Sequence, residues 1–244
     1  MPPLSFFAQT HVAMPRMSDS KTDTPSINMP LGLFVFTLVY GGMTVLAGFL
    51  AYKQVQLWPS DLAVEAGIFA FLMLVVISST ITQLYGEDRA KRIVWWGFVP
   101  LALSAALIFL VLALPPSPEM TEFRADDLAA FERVLGQTPR IMMAGPLAYI
   151  VSLLLNVWIF SKLAGSANPS ASGGSLSLMI RGAIASALSQ AVDSVIFITA
   201  AFYGEFDITD LLIGQVIAKV TLSFVLVPFL ITGGVALARW LDSK

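Results

Sequence analysis

The sequence predicts an all-α membrane protein, folded as a bundle of six transmembrane helices. Composition is the first reason: 57% of the 244 residues are hydrophobic and only 12% are charged, whereas soluble domains carry about 25% charged residues. The mean hydropathy of +0.79 agrees with this. The second reason is that long apolar stretches follow one another along the chain, each near the roughly 20 residues that cross a bilayer as a helix.

Composition also excludes several kinds of chemistry. The chain contains no cysteine, so disulfides and thiolate catalysis are excluded. Its single histidine, His11, lies near the N-terminus, which leaves no plausible metal cluster among the predicted helices. No cofactor is therefore predicted, and the net charge of −2 gives no indication of nucleic-acid binding.

The first 29 residues differ in composition from the rest of the chain. They are polar, rich in Ser, Thr and Pro, and lack an apolar core long enough for a signal peptide. We expect residues 1–29 to form a disordered cytoplasmic tail and residues 30–244 to form the transmembrane domain.

Three predicted spans make up the first half of this domain. Gly41, Gly42 and Gly48 in the first span would allow a neighbouring helix to approach closely. The second ends in a polar run that includes Ser79 and Gln83, although hydroxyl groups in such helices commonly bond the backbone of their own helix. A charged turn over residues 85–92 separates it from the third. The spans run from about Leu31 to Ala51, Leu62 to Leu84 and Ile93 to Leu114.

A segment that begins at Ser117 is predicted to be a surface helix. Ser117 followed by Pro118 is typical of a helix N-cap with proline at the first helical position. Apolar residues then recur at helical spacing among charged ones, and Gly136 can end the segment. The pattern indicates an amphipathic helix lying on the bilayer. A gating lid is the alternative, but amphipathicity alone carries no information about gating.

The second half contains three more predicted spans. A linker rich in Gly, Ser, Pro and Ala, from Gly165 to Ser175, is expected to be flexible. In the last span Pro228 must interrupt the backbone hydrogen bonds locally. The spans run from about Arg140 to Ser161, Arg181 to Phe202 and Asp210 to Leu237.

The basic residues predict the orientation of the bundle. With the N-terminus inside, four basic residues lie outside and nine lie in the cytoplasm, with Lys219 within the membrane. Basic residues favour the cytoplasmic side, so both termini are predicted to be cytoplasmic. The outside set is Lys53, Arg124, Arg133 and Arg140; the cytoplasmic set is Arg16, Lys21, Arg89, Lys91, Arg92, Lys162, Arg181, Arg239 and Lys244.

The fifth span carries a polar stripe in an apolar helix. At 3.6 residues per turn its polar residues fall on one face, opposite Ala, Ile, Leu and Val. A carboxylate at the centre of a bilayer costs about 2.5 to 3.5 kcal/mol, so Asp193 should point into the bundle and have a partner. Asp193 is therefore the first candidate for a functional site. The stripe consists of Gly182, Ser186, Ser189, Gln190, Asp193 and Phe197.

Depth in the membrane predicts the partner of Asp193. Asp193 is ten residues before Tyr203, and Lys219 is nine after Asp210. At about 1.5 Å per residue, both lie roughly 14 to 15 Å below the same surface. They can therefore meet across a tight hairpin, either as a purely structural ion pair or as a pair between which a polar substrate enters.

A weak internal repeat suggests a further partner. Residues 152–160 resemble residues 189–197, with matching Ser, Asn or Asp, Ile and Phe at a spacing of 37. Chance similarity between apolar helices is common. If the repeat is real, Asn156 corresponds to Asp193, and a site between repeats is a common design in transporters.

Several short motifs together resemble a known family. They are Tyr85-Gly86 with Ala90-Lys91-Arg92, Thr138-Pro139-Arg140 before Ala148-Tyr149, the stretch from Ser189 to Phe197, and Lys219 with Pro228. This set resembles the YhhQ-type queuosine-precursor transporters, also called the vitamin uptake transporter family. The resemblance covers about residues 31–237.

The resemblance implies a fold, a function and a site. The fold would be similar to the vitamin-binding subunits of energy-coupling-factor transporters. The protein would import 7-deazaguanine precursors of the tRNA base queuosine across the inner membrane. A carboxylate can accept the adjacent N–H groups of a guanine-like edge, and amides can bind the rest. The predicted substrate-binding residues are Asp193, Gln190, Asn156, Lys219, Ser79, Gln83, Arg140 and Ser189.

The chain also departs from the family pattern, which leaves alternatives open. Ser79 and Gln83 stand where members often carry acids, and Leu153 and Asn156 replace a common Gln and Asp. A related but different solute is therefore one alternative. Another is a substrate-binding subunit that needs a separate energising subunit, and a homo-oligomer is also considered. Enzymatic activity is not predicted, because the spans offer no histidine, cysteine or close pair of acids.

Overall fold

The computed structural model describes residues 29–57, 62–165 and 175–244. Within these ranges it does not describe the side chains of residues 153, 156, 157, 160, 161, 163–165 and 175–183. The predicted N-terminal tail and nearly all of the predicted flexible linker therefore lie outside the described residues. The same is true of the side chain of Asn156.

The described residues form eight helices and one short hairpin. A bundle of apolar helices was predicted, and this is confirmed. The elements are α1 (Leu31–Leu50), β1 (Gln54–Gln56), β2 (Ala63–Glu65), α2 (Gly67–Tyr85), α3 (Glu87–Ala113), α4 (Pro118–Phe123), α5 (Ala125–Gly165), α6 (Ser175–Phe202), α7 (Thr209–Val225) and α8 (Val227–Asp242).

Four or five segments of the described chain are long and apolar enough to cross a membrane. In the described part of the chain, α1, α2, α3 and the stretch Ile184–Phe202 of α6 are each long and apolar enough to cross a bilayer. Helices α7 and α8 pass the same test as a bent pair, with an angle of 52° between them. By this test the described residues contain four or five spans, and six were predicted. The bend lies beside Pro228, so the predicted break at this proline is confirmed.

The surface segment after the third span differs from its prediction. Ser117 does cap a helix, because its Oγ accepts a hydrogen bond from the backbone N–H of Met120 at 3.3 Å. That helix, α4, ends at Phe123, and α5 then continues without interruption through Gly136. The expectation that Gly136 ends the segment was wrong. Glycine inside a helix costs only about 1 kcal/mol, which the packing of α5 against α6 outweighs.

The predicted charged turn between the second and third spans is also shorter than expected. Only Gly86, at φ 95°, leaves the helical conformation. Glycine takes this conformation without the steric penalty that a Cβ would add. Helix α3 then begins at Glu87 instead of Ile93. An ion pair of 2.7 Å between Lys91 and Glu87 lies on its first turns.

Two polar clusters mark the opposite ends of the bundle. At the Asp242 end, the Asp242 carboxylate accepts hydrogen bonds from the Gly32 backbone N–H and the Tyr85 hydroxyl, each at 2.7 Å. At the Arg140 end, the Arg140 guanidinium donates to the carbonyls of Ala200 and Tyr203. The first helix therefore begins, and the last helix ends, on the same side of the bundle.

Apolar side chains pack near each of these ends. Near the Asp242 end, Phe36 and Ile81 belong to a cluster formed by α1, α2, α3 and α8. Near the Arg140 end, Ile198 and Leu211 belong to a cluster that joins α5, α6 and α7. A cavity lies between these two clusters.

The short hairpin is inserted against α7. Its strands pair antiparallel, with Gln54 opposite Glu65. Gly214 of α7 lies directly against the backbone of Ala63, so a Cβ at Gly214 would collide with that carbonyl. This contact holds β2 close to the helix that carries Lys219.

Gly214→Ala should therefore destabilise the protein. Backbone must move to accommodate the added methyl group, and overpacking of this kind costs about 1 to 3 kcal/mol. Gly233→Ala in α8 is the matched control, because a Cβ there meets nothing within 4 Å. Thermal unfolding in detergent compares the two variants. Equal melting temperatures would show that the hairpin does not pack on α7 in this way.

Candidate functional site

The cavity has a volume of about 180 Å³ and is lined by helices and the hairpin. A single water needs only about 10 to 15 Å³ by the same measure, so a small organic molecule can be considered as occupant. Most of the lining is apolar, with a few polar groups. Aromatic rings come from five helices: Tyr40, Phe71, Phe98, Tyr149 and Phe197.

An ion pair between α6 and α7 forms one wall of this cavity. The Lys219 ammonium donates to Asp193 Oδ2 at 2.7 Å. Both residues are buried, with exposed fractions of 3% for Lys219 and 8% for Asp193. The prediction that these two charges meet across a helical hairpin, formed by α6 and α7, is confirmed.

Aromatic rings surround the lysine of this pair. The Lys219 ammonium lies 4.4 Å from the ring centroid of Phe71 and 5.6 Å from that of Phe197. Ring faces attract a cation, most strongly where water is excluded. The ammonium is thus held at the cavity wall by one carboxylate and two rings.

Helix α5 supplies a second partner for Asp193. The hydroxyl of Ser152 can donate to Asp193 Oδ1, at 3.2 Å, or to the carbonyl of Tyr149 in its own helix, at 3.0 Å. A carboxylate has about four acceptor positions, so two remain after Ser152 and Lys219 have bonded. The weak sequence repeat had suggested Asn156 for this role, and its side chain lies outside the described residues. Ser152 was not predicted.

Glu65 is a buried acid that the sequence analysis missed. It lines the cavity at the end of β2 and is only 3% exposed. Gln215 of α7 donates to Glu65 Oε1 at 2.6 Å, and the Glu65 backbone N–H donates to the Gln215 side chain at 3.2 Å. The sequence did hold a signal for Glu65, because this acid stands between Val64 and Ala66 within a stretch predicted to be a span.

Gln190 and Ser189 lie on α6 but not in the cavity wall. Gln190 donates to the hydroxyl of Ser186 at 3.1 Å and accepts from the hydroxyl of Ser223 at 2.8 Å. Ser189 bonds the carbonyl of Ser186 in its own helix. The contact with Ser223 places Gln190 at the junction of α6 and α7, whereas Ser189 bonds only within α6.

The other predicted site residues are more distant from the cavity. Ser79 is half-buried and does not line it, whereas its neighbour Ser78 does. Gln83 is exposed near the Asp242 end. Arg140 binds the end of α6 through two carbonyls and the carboxylate of Glu205, at 3.2 Å, which fastens α5 to α6.

Metal binding has no support in the described part of the chain. No group of three or more His, Asp or Glu side chains there could hold a metal ion. The polar groups of the cavity are instead an ion pair, an acid with an amide partner and several hydroxyls.

The fold is that of a multi-pass membrane protein with a cavity inside its helical bundle. The family model described as "Putative vitamin uptake transporter" matches residues 65–233, and the chain belongs to this family. The resemblance seen in the sequence motifs is confirmed. The protein is a transporter rather than an enzyme.

A curated relative supports the same class. The chain is 29% identical over 175 residues to a protein of Bacillus subtilis (strain 168) named "Probable queuosine precursor transporter". The match covers 71% of this chain and 69% of the relative. No solved structure matches the chain significantly.

Proposed function

We propose that this transporter imports a small purine-like solute, a queuosine precursor of the 7-deazaguanine type, and binds it in the cavity beside Asp193. The observation that carries the proposal is the buried pair of Asp193 and Lys219, which faces a cavity lined by aromatic rings. The name of the Bacillus subtilis relative supports the choice of solute.

The chemistry of the wall suits a guanine-like ring. Two adjacent N–H groups of such a ring can donate to the free acceptor positions of Asp193. The Lys219 ammonium, beside it, can donate to the ring carbonyl. Flat apolar faces can stack on Phe71, Phe197 or Tyr149.

We further propose that the protein lies in the inner membrane and crosses it six times, with both termini in the cytoplasm. Helix α5 supports the additional crossing. Its Arg140 lies at one end of the bundle, and its Ser152 lies beside the buried Asp193. The contact between Gly32 and Asp242 supports an even number of crossings, because both ends of the domain lie on one side. The excess of basic residues on that side supports its cytoplasmic location.

Uptake into cells tests the function. Cells that lack their own transporter and cannot synthesise the precursor would receive the protein and a labelled 7-deazaguanine precursor. We expect uptake with the natural chain and at least a tenfold loss with Asp193→Asn, because the amide offers only one acceptor atom and donates where the ring also donates. Asp126→Asn, an exposed acid on α5, is the matched control.

The outcomes separate the parts of this proposal. No uptake by the natural chain, despite verified insertion, would contradict the assigned solute. Unchanged uptake by Asp193→Asn would leave the transport function standing and remove Asp193 from the site. Equal loss in the Asp126→Asn control would show that the assay reports expression rather than binding.

A further inference from the structure

A buried acid lies in the cavity wall at the end of the short hairpin. Glu65 is 3% exposed, and Gln215 donates to its Oε1 at 2.6 Å. The backbone N–H groups of Gly67 and Ile68, at the start of α2, also bond its carboxyl group. A carboxyl group keeps acceptor oxygens whether it is ionised or protonated. The surroundings of Glu65 can therefore hold either form.

Glu65 has no cation of its own in the described part of the chain. The base in the cavity lining, Lys219, is bonded to Asp193 at 2.7 Å. Both phenols of the lining are uncharged side chains, and the two charged residues that border the hairpin and the start of α7 are exposed. A buried carboxylate without its own cation is disfavoured, so burial favours the protonated form of Glu65. The groups on the surrounding elements are Tyr40 of α1, Lys53 beside β1, Tyr149 of α5, Asp193 of α6, and Asp210, Gln215 and Lys219 of α7.

Opposing effects place the titration of Glu65 near neutral pH. Burial raises the pKa of its carboxyl group to about 7, although Lys219 and the hydrogen bonds from Gln215 and the α2 backbone lower it. Both forms are then populated at neutral pH, and the protonated fraction falls as the pH rises through this value. Such a group can take up a proton from water and return it under cellular conditions.

We propose that Glu65 is a proton-binding site and that it couples transport to the entry of one proton with each solute molecule. The inference rests on the proposed function, because it assigns the energy source of the same transporter. Import requires the cavity to open to each side of the membrane in turn. The carboxyl group favours its protonated form while it is buried and its ionised form while water reaches it.

The proton follows a balanced route through this cycle. With the cavity open to the outside, the Glu65 carboxylate takes a proton from water and an O–H bond forms. Closure buries the neutral carboxyl group, whose second oxygen can still accept from Gln215. Opening to the cytoplasm brings water to the group, the O–H bond ionises, and the proton passes to that water. The pair of Lys219 and Asp193 has no net charge and needs no proton to be buried.

Transport into liposomes that contain the purified protein tests the coupling. The probe is labelled 7-deazaguanine, and potassium with valinomycin holds the membrane potential at zero. With a gradient of about one pH unit, acidic outside, one proton per solute predicts about tenfold accumulation inside, because the two gradients balance at equilibrium. Liposomes without protein measure passive entry.

A variant at Glu65 separates coupling from folding and binding. Glu65→Gln can keep the hydrogen bond from Gln215 but cannot bind or release a proton. We expect it to exchange labelled for unlabelled 7-deazaguanine without a gradient, at a rate comparable to the natural chain, and to show no accumulation under the gradient. Glu122→Gln, an exposed acid on α4, is the matched control and should accumulate the solute as the natural chain does.

Infrared spectra of the purified protein provide a readout that needs no solute. A protonated carboxyl group has a C=O stretching band separate from the bands of a carboxylate. The natural chain should lose such a band as the pH rises through about 7, and Glu65→Gln should lack the band. Glu122→Gln should keep it.

The outcomes distinguish failure of the inference from failure of the proposed function. If the natural chain exchanges 7-deazaguanine but does not accumulate it, the coupling is refuted and the proposed function stands. If it exchanges none, but the infrared band titrates near neutral pH and is absent from Glu65→Gln, the solute is wrong and the proton site stands. The absence of that band from the natural chain, or undiminished accumulation by Glu65→Gln, would overturn the inference.

Discussion

Lys219→Met is expected to destabilise the protein by about 3 to 5 kcal/mol, the largest loss among the variants considered. Removing one member of a buried ion pair leaves the other charge uncompensated, and losses of this size are typical. Asp193 would keep only the hydrogen bond to Ser152 at 3.2 Å. Thermal or chemical unfolding in detergent measures the effect.

A double variant separates charge from packing. Lys219→Met combined with Asp193→Leu removes both charges, so most of the lost stability should return. The double variant should be unable to transport, since it lacks Asp193, the residue proposed to bind the solute. If Lys219→Met alone unfolds at the same temperature as the natural chain, the ion pair does not exist in the folded protein.

Gln215→Leu is expected to produce the second-largest loss, about 2 to 4 kcal/mol. Gln215 is completely buried and makes both hydrogen bonds that fasten Glu65 to α7. Leucine would leave the Glu65 carboxyl group buried without its side-chain partner, and a buried polar group that loses its partner is costly. Unfolding measurements again provide the readout.

Two comparisons make this prediction specific. Gln83→Leu, an exposed change of the same kind on α2, should leave stability within about 0.5 kcal/mol. Glu65→Gln combined with Gln215→Leu should be more stable than Gln215→Leu alone, because an amide, unlike a carboxyl group, cannot become a buried charge. A loss in Gln83→Leu as large as that in Gln215→Leu would contradict the account.

Helical geometry made part of the site predictable from the sequence. A helix rises by a fixed amount per residue, so the positions of Asp193 and Lys219 relative to the ends of their helices gave their common depth. Their ion pair followed from that depth and from the cost of a lone charge in the membrane. Pro228 similarly predicted the bend, because it lacks a backbone N–H.

Other features depend on tertiary contacts and could not be read in this way. Glu65 precedes α2 in a three-residue strand, and only the packing of that strand on Gly214 places it in the cavity. Helix α5 continues through Gly136 because its packing on α6 outweighs the low helix propensity of glycine. Arg140 was predicted in the site from a motif, but it bonds the backbone at the end of α6.

A binding measurement with two related rings tests whether Asp193 binds the edge of a guanine-like ring. The affinity of the purified protein is measured for 7-deazaguanine and for 7-deazahypoxanthine, which lacks the exocyclic amine. The natural chain should prefer 7-deazaguanine by tenfold or more, because hydrogen bonds to a carboxylate contribute about 1.5 to 3 kcal/mol, and Asp193→Asn should lose this preference. Equal affinity of the natural chain for the two rings, or an undiminished preference in Asp193→Asn, would contradict the account.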